Sequence, residues 1–164
     1  MTIDKSGEDI DAQRLLAVFD EASAQVCAAM TGAYRAADCW VDAIRSALAE
    51  LLAFLDHRPG LARLLIVDAL VGDSAIRARR HELLAELARA LEADRPPPAA
   101  GSLPAPFGGE AVVGAVASIL HGRLLEEPTP ALIDLHGSLM GLIVLPYLDV
   151  AAARGELSRR APEV

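Results

Sequence analysis

The stretch Leu132–Tyr147, LIDLHGSLMGLIVLPY, constrains this chain more than any other, because read as a helix it is apolar on nearly every side. From Leu139 to Leu148 no residue is charged, and upstream only Asp134, His136 and Ser138 are strongly polar. A helix of that kind is a central core helix, a membrane span or an oligomer interface. A span needs about 18 or more apolar residues in a row. Pro146 and Asp149 close this run sooner, so the stretch is expected to be a buried helix that meets a copy of itself.

The surroundings of that helix follow from composition. The chain has 164 residues, a length that suits one domain with one core. Its hydrophobic fraction is 53% but its aromatic fraction only 4%, and Ala and Leu, the strongest helix formers, dominate. Alternating β-branched runs are absent, which makes the expected class all-α. A net charge of −8 opposes binding to a phosphate backbone, whose affinity comes from clustered Lys and Arg. Cys27 and Cys39 lack the Cys and His partners of a zinc site, so no metal or cofactor is expected. The acidic start MTIDKSGEDIDAQR lacks the basic-then-apolar pattern of a signal peptide. A reduced, cytoplasmic protein is the expectation.

Helical spacing and punctuation divide the chain into six expected helices. Residues 1–9 are polar and read as a disordered start, 10–155 as a single helical domain and 156–164 as a tail. The first helix carries Leu15, Leu16, Phe19, Ala22, Val26 and Met30 at three-to-four spacing and ends at Thr31-Gly32. Asp38 is the expected N-cap of the second, whose stripe is Trp40, Ile44, Leu48, Leu51 and Leu55, with Asp42, Arg45, Ser46 and Glu50 outward. Pro59 opens a short third helix over Gly60–Leu70, and Asp73 or Ser74 caps a long fourth. The segment Arg95–Phe107, RPPPAAGSLPAPF, is a proline-stiffened loop. Beyond it, Gly109–Glu127 forms the fifth helix, rich in small residues that let a neighbour approach. Thr129 and Pro130 then cap and open the sixth, which is expected to run to about Arg154-Gly155.

Three phrases in this order resemble the C-terminal sensing domain of tetracycline-repressor-like (TetR family) transcriptional regulators. LLAVFDEA at Leu15–Ala22 is similar to the start of the family's connecting helix, and HRPGLARLLIVDALVGDSAIRARRHELL at His57–Leu84 to its sixth and seventh helices. LMGLIVLPYL at Leu139–Leu148 is similar to the ending of its last helix. The sequence departs from the family before Leu15, where fourteen acidic-leaning residues cannot build a recognition helix. DNA binding is therefore not carried over.

What the resemblance implies is an antiparallel six-helix bundle with an effector cavity among the first four helices and a two-fold dimer in which the last two form a four-helix bundle. The cavity would take an apolar or aromatic small molecule, with Met30, Tyr34, Trp40, Phe54, Phe107 and His121 as candidate walls and polar handles. Val116, Leu120, Leu135, Leu139 and Ile143 would face the second copy. The other function class is an interaction protein that pairs with a full-length regulator and inactivates it. His121 and His136 are open between ligand donor, pH-sensitive group and buried imidazole, and Arg77–His81 reads as a solvated basic face. No His-Glu-x-x-His, no Glu-x-x-His pair and no phosphate-binding glycine loop occurs, so no catalytic residue is expected and the chain is not read as an enzyme.

Overall fold

The computed structural model describes residues 5–97 and 108–162, with side chains from residue 11 onward, and every element among them is helical. Helix α1 is Lys5–Arg35 and α2 is Trp40–His57. Helix α3 is built from Pro59–Arg63, a π-helical turn at Leu64–Asp68 and a last turn at Ala69–Val71. Helix α4 is Ser74–Ala93 and α5 is Gly109–Leu124. A 3₁₀ turn at Leu132–Leu135 leads into α6, His136–Val144, and α7 is Val150–Leu157.

Helix α2 is the centre, because its apolar residues occupy more than one face. Ala49, Leu52 and Leu55 are fully enclosed, and α2 packs against α1, α3 and the stretch from the 3₁₀ turn into α6. Expected and observed starts mostly agree where local chemistry decides them. Pro59 sits in the first turn of α3, where its missing N–H costs nothing. The Asp73 side chain accepts from the N–H groups of Ala75 and Ile76 at 2.8 and 2.9 Å, as an N-cap does.

Several boundaries differ. Helix α1 begins at Lys5, within the segment expected to be disordered, and continues through Gly32 to Arg35, since a helical glycine only weakens a helix that tertiary packing sustains. Helix α2 is N-capped at Cys39 rather than Asp38, and α5 stops at Leu124. The start of the last helical stretch is capped from a distance: Leu132 and Ile133 donate their N–H groups to the two carboxylate oxygens of Asp56, at 2.8 and 3.0 Å. Thr129 instead donates its hydroxyl to the carbonyl of Glu126.

The largest difference is the break after Val144, which makes seven helices among the described residues where six were expected. Pro146 supplies no N–H and its ring clashes with the preceding turn, and Asp149 then caps α7 by accepting from the N–H of Ala152 at 2.7 Å. The chain folds back so that α7 lies on α6. Glycines permit that approach: a Cβ at Gly137 would stand 3.1 Å from the carbonyls of both Glu156 and Leu157, and one at Gly141 3.2 Å from that of Ala153. The expected tail boundary moves as well, since Glu156 is buried. Replacing Asp56 with Ala should destabilise the fold by about 1–2 kcal/mol, read as a lower urea midpoint with unchanged slope; an unaltered midpoint would mean that the distant cap holds nothing.

Candidate association surface

The residues expected to line an effector cavity are distributed through the packed body. Trp40 is buried, stands edge-on to Tyr147 with ring centroids 5.4 Å apart, and donates its indole N–H to the carbonyl of Leu91 at 3.3 Å. Phe54 is buried beneath the guanidinium of Arg58, 4.4 Å above its ring. Met30 packs half-buried against the core, and His121 is half-buried on α5. Tyr34 donates its hydroxyl to Asp94 at 3.1 Å. Phe107 lies outside the described residues. Trp40 and Phe54 belong to the core cluster, and Met30 and Tyr34 pack against it.

The residues expected at the dimer contact are mostly inside a single chain. Leu120 and Leu139 are each 1% exposed, and Val116 and Ile143 are buried too; only Leu135 is half-buried. The four buried ones belong to the core that α1, α2, α3, α5 and α6 build together, whereas α7 covers the Gly137 and Gly141 side of α6. The same two helices also present side chains outward, among them Ile119 and Leu145.

Two open grooves are found among the described residues. The larger, about 670 Å³, runs between α5 and α7 over α6. Ala111 and Ala115 form one wall, Gly141, Leu142 and Leu145 the floor, and Val150, Ala153 and Leu157 the other wall. Arg154 is the only charged side chain among the described residues that line it. Leu145, Val150 and Leu157 are 48%, 55% and 58% exposed. The smaller groove, about 270 Å³, lies between α1 and α3 beside Val18, Gln25 and Leu61. Neither groove is lined by Met30, Tyr34, Trp40, Phe54 or His121.

Two polar clusters that the sequence did not announce tie the helices together. In the first, Glu92 accepts from the Tyr147 hydroxyl at 2.8 Å and the Gly109 N–H at 2.7 Å while pairing with Arg95 at 2.7 Å. It thereby fixes the end of α4, the start of α5 and the turn after α6 to one carboxylate. In the second, Arg45 on α2 grips Glu156 on α7 with two bonds of 3.0 and 2.7 Å, both side chains being buried. Arg45 also pairs with Asp42, and its carbonyl accepts from Nε2 of the buried His136 at 3.0 Å, leaving Nδ1 of that ring without a partner. Arg45 was expected to face outward; the encirclement of α2 puts it inside. The bonds to Glu156 hold the guanidinium above its ordinary pKa, and the bonds from Cys39 and Arg45 hold Asp42 below the usual carboxylate range.

No family model matches the chain, and neither does any curated protein or solved structure. Among the described residues no helix is long and apolar enough to cross a membrane, and no group of three or more His, Cys, Asp or Glu side chains is placed to hold a metal ion. Of the basic stretch Arg77–His81 on α4, Arg77, Arg79 and His81 are exposed and Arg80 is half-buried, and Arg79 pairs with Asp20 on α1 and with Glu82, each at 2.9 Å.

Both tyrosines hydrogen-bond to carboxylates, which sets a pH dependence. Burial, then the hydrogen bond to Asp94, pushes Tyr34 up to about 12, and burial with the bond to Glu92 raises Tyr147 as well. Because unfolded tyrosines ionise near 10, the unfolded chain loses its protons first. The contribution of these groups is therefore whole below pH 10 and is lost as pH rises from about 10 to about 12 and beyond. The chain has two tyrosines, so a spectrophotometric titration should show no tyrosinate step near pH 10 while the chain is folded. An ordinary step there for both residues would contradict the two bonds.

Proposed function

We propose that this chain is an association domain of the TetR sensor type, in which two copies pair across α5, α6 and α7. The observation that carries this reading is the open apolar groove between α5 and α7 together with the exposed Leu145, Val150 and Leu157 at its edge. A continuous apolar face of this kind on a monomer marks an interaction site, and a self-complementary contact gives each copy the same cover. Support for an apolar effector comes from the sequence phrases at Leu15–Ala22 and His57–Leu84, while Trp40 and Phe54 are committed to packing. The pairing surface is thus the better-supported half of the resemblance. A stable pair needs to bury at least roughly 1,200 Å² in total, which places part of α5 or the turn at Leu145–Leu148 in the contact beside the groove.

The test separates surface from core. Val150→Glu and Leu157→Glu alter exposed residues, so each should keep the helical circular dichroism of the parent while weakening self-association at least tenfold in sedimentation equilibrium. Leu139→Glu, by contrast, places an unpaired charge inside one chain and should lose helical signal at any concentration. A parent dimer indifferent to both surface changes would move the interface elsewhere. A chain that stays monomeric alone but forms mixed pairs with a regulator would favour the inactivating partner instead.

A further inference from the structure

Helix α7 is attached to the body by few means. Its packing is almost entirely against α6, along the track left by Gly137 and Gly141. Its link to α2 is one buried ion pair, Arg45–Glu156, closed over a sequence separation of 111 residues. Val150, Ala153 and Leu157 line the groove along the edge where α7 meets α6, with Ala153 and Leu157 against Gly141. The pair has no apolar substitute nearby: Asp42 and Arg159 flank it, the latter 3.6 Å from Glu156, and His136 lies against the Arg45 carbonyl.

We propose that Arg45 and Glu156 are positioning residues for the association surface: their ion pair is a latch that holds α7 as a separately releasable wall, and closing the latch and pairing two copies are coupled. The coupling rests on the association reading above; the latch itself does not. The physical basis is that a short helix contributes little stability of its own, so its placement is decided by the strongest directional contact it makes. A bidentate guanidinium–carboxylate pair is such a contact, and opening it leaves Arg45 only its pair with Asp42 and Glu156 only the more exposed Arg159, which is costly for groups held in a buried place. Release of α7 would therefore be all-or-none, a local opening of one unit while α1 to α5 remain folded. A second copy that binds only the closed wall draws the equilibrium toward closure.

Hydrogen exchange and sedimentation on the full chain test both parts. Glu156→Gln should speed amide exchange in α7 at least tenfold, leave the slow amides of α2 and α5 unchanged, and weaken self-association by a comparable factor. The double change Arg45→Met with Glu156→Leu replaces the ion pair by apolar contact and should restore most of the α7 protection and the pairing. Acceleration spread evenly over all helices in Glu156→Gln would overturn the latch, showing a general contribution to stability. Faster α7 exchange with unchanged pairing would overturn the coupling. A parent chain that remains monomeric throughout would sink the association reading and the coupling with it, while exchange in α7 of that monomer still decides the latch.

Discussion

Everything in this chain depends on enclosing α6. Met140 and Val144 are wholly inaccessible and Leu139 nearly so, and a helix with so few polar positions needs cover over most of its faces. The cover comes from several directions. Helix α2 supplies the central partner, α5 lies beside it, and α7 closes the glycine side. The cost of entering such a place is borne at the ends, where polar backbone groups must find acceptors. Asp56 accepts from the backbone N–H groups of Leu132 and Ile133 at the entry, and at the exit Glu92 accepts from the Tyr147 hydroxyl, so the polar contacts follow from the burial.

This arrangement explains why the open apolar groove and the buried core share helices while differing in residues. Each of α5 and α6 turns one face inward and one toward the groove. Small side chains at Ala111, Ala115 and Gly141 keep the outward faces low, and α7 stands above them as a ridge. A groove bounded by a ridge is self-complementary under a two-fold rotation when the ridge of one copy fits the groove of the other.

How much of this could be read from residues alone depends on the range of the interaction. Pro59 at a helix start, Asp73 as a cap and the all-helical class come from chemistry within a few positions, and they were legible. Asp56 capping Leu132, Arg45 meeting Glu156 and Glu92 joining Tyr147 to Gly109 each span distant positions, and a carboxylate on a predicted wet face looks the same whether or not a partner arrives. Arg45 had one usable signal: Ala43, Ala47 and Ala49 surround it with small residues, a pattern of a helix enclosed on several sides. Pro146 was visible too, but the apolar spacing continues past it to Ala153 and concealed the reversal. The candidate site suffered most, since which apolar face remains uncovered is decided only after every other face has been matched.

The glycine at position 137 has an evolutionary side. It does not line the groove, yet a methyl group there would press on the carbonyls of Glu156 and Leu157 at 3.1 Å, a distance that obliges α7 to give by a few tenths of an ångström. The wall of the groove can thus be displaced without altering any residue that a partner would touch. Related chains could acquire separate pairing preferences from behind the surface, and a comparison of their exposed residues alone would find nothing to account for the divergence.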